Sequence, residues 1–233
     1  GTYYLALEGR IWDSGTISYG FNLRLQGNTP PPALEGTALT LGATVSGTIA
    51  VAGETDDYVF TVDKPSLVLV DGLAPNNSGS FRWTLSGPRG VEVAGRSFYY
   101  SESWEYGGAN PTVQLVLPGT YQLRVGADGS TTGNYGFRVL DTAAATDRAL
   151  GSVVSATLNP ANETDLYAFE ASAGQRLYLD VRSLSPDYGD WISWRLLDPY
   201  GRQVLGPIGF NSNGASGGDN GFVVPFAGRY TLL

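Results

Sequence analysis

Residues 54–60 read Glu-Thr-Asp-Asp-Tyr-Val-Phe, and residues 163–169 read Glu-Thr-Asp-Leu-Tyr-Ala-Phe. The aspartates at the third position of each stretch, Asp56 and Asp165, are 109 positions apart (165 − 56). This separation is the length of an ordinary protein domain. The stretch therefore predicts that the chain contains one domain more than once.

Two further pairs of segments repeat in the same order. Residues 81–85, Phe-Arg-Trp-Thr-Leu, correspond to residues 192–196, Ile-Ser-Trp-Arg-Leu, and residues 118–123 correspond to residues 227–232. Residues 1–5, Gly-Thr-Tyr-Tyr-Leu, resemble the segments of the last pair and form a third copy of that element. Because the elements keep their order, we expect tandem copies of one domain rather than a single large fold.

The composition indicates an all-β protein that does not bind nucleic acid. Among 233 residues there are 32 glycines and 13 prolines, with 12% aromatic and only 15% charged residues, as expected for short strands joined by tight turns. The net charge of -8 is spread without blocks of like charge, which excludes strong attraction to nucleic acid or to anionic membranes. No segment approaches the roughly 20 apolar residues of a membrane helix, so we expect no membrane insertion.

We expect no enzymatic activity. The chain contains no histidine and no cysteine, which excludes nucleophilic sites of the Ser-His-Asp and Cys-His types. Glu102 with Glu105, and Asp187 with Asp190, have the chemistry of a glycosidase acid and base. Carboxylates are common in surface loops, however, and we interpret both pairs as surface residues.

Short runs in which apolar and polar residues alternate predict strands throughout the chain. They are residues 3–7, 19–25, 58–62, 67–70, 113–117, 121–125 and 135–139. One apolar face per strand, with turn-forming clusters between the runs, predicts tandem antiparallel jelly-roll-like β-sandwich domains. Trp83 and Trp194 recur at matched positions and are predicted to be core residues.

Aligning the copies predicts the domain boundaries. Residues 1–26 hold the last strands of a preceding sandwich, residues 27–36 form a linker rich in proline and glycine, residues 37–141 form a complete sandwich, and residues 142–233 form a sandwich without its last strand. Such a sandwich has an unpaired edge. Two interpretations stay open: the array continues in a longer polypeptide, or residues 1–26 of one chain complete the last domain of the next. The side chains that would complete it are Tyr3, Leu5, Leu7, Tyr19, Phe21 and Leu23.

The order of these motifs resembles the bacterial pre-peptidase C-terminal domain. The resembling residues are Asp-x-Tyr-x-Phe at 56–60 and 165–169, Ala-Gly-Gln-Arg-Leu at 173–177, Leu-Asp-Pro-Tyr-Gly at 197–201, Pro-Gly-Thr-Tyr at 118–121 and Tyr-Gly-Phe at 135–137. The first copy departs from the pattern at residues 64–66, Lys-Pro-Ser, where the second copy has its Ala-Gly turn. The resemblance implies a jelly-roll sandwich that serves secreted bacterial proteins as a non-catalytic module. Some such modules bind collagen or other polymers, and some hold calcium.

Oxygen-bearing side chains beside the repeated segment are the candidate metal ligands: Glu54, Asp56, Asp57, Asn162, Glu163 and Asp165. Carboxylate and amide oxygens are ligands that calcium prefers. The alternative interpretation is structural, because an aspartate at the start of a strand accepts hydrogen bonds from backbone N–H groups and stabilises the turn. We expect no cofactor, and calcium binding is the alternative that stays open.

The aromatic run at residues 98–106 has no counterpart in the second copy. Its candidate contact residues are Tyr99, Tyr100, Trp104 and Tyr106. Exposed aromatic side chains would stack on sugar rings or contact a neighbouring domain, whereas a pair of strands would use them to cap the sandwich. These interpretations stay open.

Together these features predict a non-enzymatic, extracellular structural protein whose repeats form a stalk, fibre or surface-layer array at a bacterial cell surface. Its partners are neighbouring copies of the same repeat. The alternative is an accessory module of a secreted hydrolase or adhesin that binds a polysaccharide or a protein, in which case the partner is an extracellular polymer. An array predicts large contacts between consecutive domains, whereas a binding module predicts aromatic side chains in a row on one exposed face.

Overall fold

The computed structural model describes residues 3–27, 33–73, 79–101, 111–185, 192–210 and 221–233. These residues form strands and two short 3-10 helices, which confirms the prediction of an all-β fold with antiparallel sheets. The chain divides into two compact units, Gly1–Ala33 and Leu34–Leu233. No described helix is long and apolar enough to cross a membrane.

The described residues between 37 and 141 form nine strands: β1 (Thr37–Ala38), β2 (Val45–Ile49), β3 (Asp56–Val62), β4 (Ser66–Gly72), β5 (Phe81–Gly87), β6 (Gly90–Ser97), β7 (Thr112–Leu115), β8 (Gly119–Ala127) and β9 (Gly133–Asp141). They make a five-stranded sheet of order β1-β3-β8-β5-β6 and a four-stranded sheet of order β2-β9-β4-β7. Strand β9 lies between β2 and β4 and pairs antiparallel with both. Of the pairings between these described strands, that of β1 with β3 is parallel and the others are antiparallel.

The core of this first sandwich lies between its two sheets. Alternation along β3 buries Tyr58 and Phe60, and β9 contributes Tyr135 and Phe137 from the opposite sheet. Trp83 on β5 is 1% exposed, which confirms that it is a core residue. Each large apolar side chain buried in this way contributes about 1.5–3 kcal/mol.

After residue 145, the part of the chain that the structure describes contains seven strands: β10 (Thr146–Asp147), β11 (Tyr167–Ala171), β12 (Arg176–Leu177), β13 (Ser193–Leu197), β14 (Gln203–Gly209), β15 (Phe222–Val223) and β16 (Gly228–Leu232). Their main sheet has the order β10-β11-β16-β13-β14, which repeats the order β1-β3-β8-β5-β6. The pairing of β10 with β11 is parallel, like that of β1 with β3. Trp194 on β13 is 5% exposed, as predicted for a core residue.

The second layer of this later region is open. Among the described strands β12 pairs only with β15, and residues 154–158, which correspond in sequence to β2, form no strand. Among the described residues of this region, nothing takes the place of β9. Leu177 and Leu179 are consequently only partly buried, whereas the corresponding Val68 and Val70 of β4 are fully buried.

The strands predicted at residues 3–7 and 19–25 do not form. A strand needs a neighbour to take up its backbone N–H and C=O groups, and no described strand pairs with this segment. Its large apolar side chains are exposed as a result, including Tyr3 at 92% and Leu23 at 80%.

A 3-10 helix, Thr142–Ala144, joins the two sandwiches. The carboxylate of Asp141 accepts a hydrogen bond from the backbone N–H of Ala143 and so caps this turn. Strand β9 is thereby followed within five residues by β10.

Candidate functional site at the junction of the two sandwiches

The glutamates of the repeated segment stabilise turns. Oε2 of Glu54 accepts hydrogen bonds from the backbone N–H groups of Ala50 and Val51, at 2.5 and 3.0 Å. Oε1 of Glu163 accepts one from the N–H of Asn159, at 2.8 Å. The structural role that the sequence suggested for the aspartates is therefore performed by the glutamates two residues earlier.

The aspartates bind side chains instead. Oδ2 of Asp56 accepts a hydrogen bond from the hydroxyl of Tyr135 at 2.5 Å, and that hydroxyl lies 2.6 Å from the hydroxyl of Tyr58. In the later region, where the β9 tyrosine has no counterpart among the described residues, Oδ2 of Asp165 accepts directly from the hydroxyl of Tyr167, at 3.1 Å.

Burial and the neighbouring carboxylates keep these hydroxyls protonated. Burial, the bond to Asp56 and the bond to Tyr58 together raise the pKa of Tyr135 far above its usual value. Burial and the charge of Asp165 likewise raise the pKa of Tyr167. A neutral hydroxyl donates a hydrogen bond to the carboxylate, so each pair holds its geometry at neutral pH.

The candidate calcium ligands have separate partners. Asp57 makes a bidentate ion pair with Arg124, in which both hydrogen bonds are 2.7 Å long. The side-chain amide of Asn162 donates to the carbonyl of Gly72 at 2.8 Å. Within the described ranges, no group of three or more acidic, histidine or cysteine side chains is placed to hold a metal ion. Calcium binding stays a prediction.

Arg138 on β9 contacts both sandwiches. Its Nε and Nη2 donate to Oδ2 of Asp71 on β4, at 2.8 and 2.5 Å. Nη2 also donates to the carbonyl of Thr164 at 3.2 Å, and Nη1 lies 3.5 Å from Oε2 of Glu163. One guanidinium therefore connects a core strand of the first sandwich to the loop that begins β11 of the second.

The carboxylate of Asp71 is fully buried beneath this arginine. Burial raises the pKa of Asp71, while bonds from Arg138 and Thr164 oppose the shift. A buried carboxylate without a cationic partner is strongly destabilising. Arg138 is therefore needed both for the first sandwich and for its contact with the second.

Two further contacts support the junction. The bond from Asn162 to Gly72 crosses from the second sandwich to the first, and the side chain of Leu67 on β4 lies directly against Gly201 of the second sandwich. Arg138 and Thr164 line a groove together with Arg148 and Tyr167, and the guanidinium of Arg148 lies 5.6 Å from the ring centroid of Tyr167. The sequence patterns did not predict this junction, although Asp71, a charged residue at the end of the apolar run 67–70, is a signal for it.

The aromatic candidates divide between core and surface. Phe98–Tyr100 form a 3-10 helix rather than a strand, and Phe98 is buried in the core. Tyr99 and Tyr100 are 41% and 46% exposed, and their rings meet edge to face with centroids 5.4 Å apart. Trp104 and Tyr106 lie outside the described residues.

The candidate strand-complementing side chains in the smaller unit are all exposed: Tyr3, Leu5, Leu7, Tyr19, Phe21 and Leu23. Tyr19 and Phe21 stack on each other with ring centroids 6.5 Å apart. The segment has the apolar side chains of a strand, and among the described residues it pairs with no sheet.

Comparison with known proteins identifies no family. No protein-family model and no curated protein matches the chain. A solved structure of the Salmonella Typhimurium protein PliG, a periplasmic inhibitor of g-type lysozyme, is 22% identical over 45% of this chain and 95% of its own, with a TM-score of 0.34. The pre-peptidase C-terminal domain of a Bacillus anthracis collagenase is 22% identical over 48% of this chain and 99% of its own, with a TM-score of 0.32. The second is a domain of the family that the sequence motifs resemble.

Proposed function

We propose that this protein is a non-enzymatic structural module of an extracellular bacterial stalk, fibre or surface layer. In such an array each sandwich buries its own core, and the contacts between consecutive sandwiches set the direction of the array. The extracellular location rests on the resemblance of the sequence motifs to modules of secreted proteins.

The observation that carries this proposal is the junction at Arg138. A flexible linker would leave the two sandwiches free to rotate, whereas the bonds from Arg138 to Asp71 and to the carbonyl of Thr164 favour one orientation. The packing of Leu67 against Gly201 adds an apolar contact to these bonds. Polar and apolar contacts together favour a junction that resists bending.

Nuclear magnetic resonance of the weakly aligned chain tests the proposal. A rigid junction predicts that residual dipolar couplings from the two sandwiches fit one shared alignment tensor. The variant Arg138→Met is expected to need two tensors, while Arg82→Met, which removes an exposed ion pair with Asp128, is expected to keep one. Separate tensors in the unmodified chain would contradict the array proposal.

A second candidate is the binding of an extracellular polymer by the aromatic surface near Phe98–Tyr100. The observation in its favour is the exposed pair of Tyr99 and Tyr100, since aromatic faces stack on sugar rings and pack against fibrous proteins. Isothermal titration of the chain with soluble polysaccharides and with collagen peptides tests it. If the unmodified chain binds such a polymer and the double variant Tyr99→Ala/Tyr100→Ala does not, polymer binding becomes the better supported function.

A further inference from the structure

We infer that Tyr200, Arg202 and Phe226 of the second sandwich form a binding site for a neutral polysaccharide, with one sugar ring stacked on the ring of Tyr200. The three side chains meet where the hairpin of β13 and β14 turns and where β16 begins. Tyr99 and Tyr100 lie on the first sandwich and are a different surface. The inference does not depend on the proposed array function.

Two aromatic side chains are exposed at this turn. Tyr200 is 67% and Phe226 is 39% exposed. Their rings meet edge to face, with centroids 5.4 Å apart and an angle of 86° between the ring planes. The C–H groups on the face of a pyranose ring are apolar and pack against an aromatic face. Tyr200 therefore presents a ring to one sugar, and Phe226 supports that ring from the side.

The guanidinium of Arg202 is fixed beside both rings. Its central carbon lies 5.1 Å from the ring centroid of Tyr200 and 5.1 Å from that of Phe226. Nε donates to Oδ2 of Asp198 at 2.7 Å, and Nη2 lies 2.6 Å from the same oxygen. Nη1 bonds to no protein group within the described residues, and the side chain is 59% exposed. Its remaining N–H groups are donors for the hydroxyls of a sugar.

One buried carboxylate holds the whole turn. Oδ1 of Asp198 accepts hydrogen bonds from the backbone N–H groups of Tyr200 and Arg202, both at 2.9 Å. Between these two residues, Gly201 packs against the side chain of Leu67 in the first sandwich. The stacking ring and the donor are thus in place before a ligand arrives, which lowers the entropy lost on binding.

The charges at the site favour an uncharged ligand. The carboxylate of Asp198 offsets the guanidinium of Arg202, so the two together carry no net charge. The chain as a whole carries a net charge of -8, which repels an acidic polysaccharide. A neutral sugar chain gains the stacking and the hydrogen bonds without this repulsion.

The angle between the rings favours a single soluble chain over a crystalline surface. A flat crystal face of a polysaccharide is contacted by aromatic rings that share one plane. The planes of Tyr200 and Phe226 are nearly perpendicular, so only one of the two rings can lie flat against such a face. The geometry instead suits one sugar of an individual chain.

The first sandwich forms the same hairpin without these side chains. Its turn reads Gly-Pro-Arg-Gly-Val at residues 87–91, where the second sandwich has Asp-Pro-Tyr-Gly-Arg at residues 198–202. Leu117 stands at the position of Phe226. Because β5 and β6 pair as β13 and β14 do, the hairpin itself does not require the aromatic pair or the arginine. An exposed aromatic cluster that the fold does not require is typical of a binding surface.

Isothermal titration of the 233-residue chain with cellohexaose, laminarihexaose and mannohexaose tests the site. At least one of these neutral oligosaccharides is expected to bind, and Tyr200→Ala is expected to weaken that binding about tenfold or more. Tyr200→Phe keeps the ring and is expected to keep most of the affinity. The matched control Tyr178→Ala removes another exposed tyrosine of the same region and is expected to change nothing.

Thermal unfolding of each variant shows that it is folded, since both tyrosines are exposed. The inference is overturned if none of the three oligosaccharides binds, or if Tyr200→Ala binds as tightly as the unmodified chain. Binding that is lost in Tyr99→Ala/Tyr100→Ala and kept in Tyr200→Ala would also overturn it, because the sugar would then lie on the first sandwich.

Hexagalacturonate, an acidic oligosaccharide, tests the choice of a neutral ligand. It is expected to bind more weakly than the best neutral oligosaccharide, and tighter binding would overturn that choice. Crystalline cellulose is expected not to retain the chain, and retention that Tyr200→Ala abolishes would overturn the preference for a single soluble chain. None of these outcomes bears on the array proposal, because the alignment tensors of the two sandwiches are measured without sugar.

Discussion

The hydroxyl of Tyr135 lies 2.5 Å from Oδ2 of Asp56, so that a side chain of β9 bonds to a side chain of β3 in the opposite sheet. Most of the contact between the two sheets is apolar, which is non-directional. This hydrogen bond is directional and so specifies the register of β9, because it forms only when β9 has its observed register. The repeated aspartate thus positions the closing strand of the sandwich.

Removal of this hydroxyl is expected to destabilise the first sandwich. Tyr135→Phe leaves the carboxylate of Asp56 and the hydroxyl of Tyr58 without their shared partner, at a cost of about 1–3 kcal/mol in the free energy of unfolding. Urea denaturation measures it. The control Tyr178→Phe changes a tyrosine that is 65% exposed and is expected to change the free energy by less than about 0.5 kcal/mol; equal effects of the two substitutions would contradict this role of Tyr135.

Loss of the junction arginine is expected to be more damaging. Arg138→Met leaves the carboxylate of Asp71 buried without a cation, and we expect a loss of about 3–5 kcal/mol. The double variant Arg138→Met/Asp71→Leu is expected to recover much of that stability, because no charge is then buried. Arg82→Met, at an ion pair whose side chains are 43% and 51% exposed, is expected to cost at most about 1 kcal/mol. Denaturant titration measures the free energy of unfolding of each variant. A larger loss in Arg82→Met than in Arg138→Met would refute this account.

Two corresponding turn glycines are expected to resist substitution equally. Gly119 and Gly228 have φ of 142° and 140°, which side chains rarely adopt. A Cβ at Gly119 would also lie 2.8 Å from Pro88, and one at Gly228 would lie 2.9 Å from Pro199. Each change to alanine is expected to cost more than about 1 kcal/mol. Gly79→Ala, where a Cβ meets open space, is the control, and thermal unfolding of the three variants should separate it clearly from the other two.

Acid is expected to destabilise the second sandwich through Asp198. Burial acts to raise the pKa of Asp198, but the guanidinium of Arg202 and the backbone N–H groups of Arg202 and Tyr200 outweigh burial and lower it. Because the pKa is lower in the folded than in the unfolded state, ionised Asp198 stabilises the fold at any pH above its unfolded pKa of about 3.9. This stabilisation is lost as the pH falls through the folded-state pKa.

Asp198→Asn cannot ionise and so is expected to show a smaller loss of thermal stability between about pH 6 and about pH 3. The unmodified chain and the variant are compared by calorimetry at both pH values. A loss of the same size in both would show that Asp198 does not contribute to the acid sensitivity.

The alternation of apolar residues was enough to predict the sheets of the first sandwich. The run from Tyr58 to Val62 and the run from Tyr135 to Val139 both became strands with their aromatic side chains buried. The same pattern failed for Tyr19 to Leu25, because alternation specifies which face of a strand is apolar but supplies no neighbour to pair with it.

The contacts of the candidate site residues were likewise only partly predictable from the sequence. Local spacing alone was enough to place Asp56 and Asp165 beside core strands. Their tyrosine partners were not predicted: Asp56 bonds to Tyr135, which is 79 residues away. Asp165 bonds to Tyr167, two residues away, in the region where β9 has no counterpart among the described residues. The Arg138 junction was not predicted at all, since its partners lie 67 residues before it, at Asp71, and 26 residues after it, at Thr164.

Local chemistry in the sequence therefore determined the fold class and the core tryptophans, because alternation and turn residues are properties of short segments. Only the tertiary structure decided which polar groups meet across the sheets and across the junction. Those outcomes depend on backbone pairing between segments far apart in the chain, and no local pattern specifies the partner.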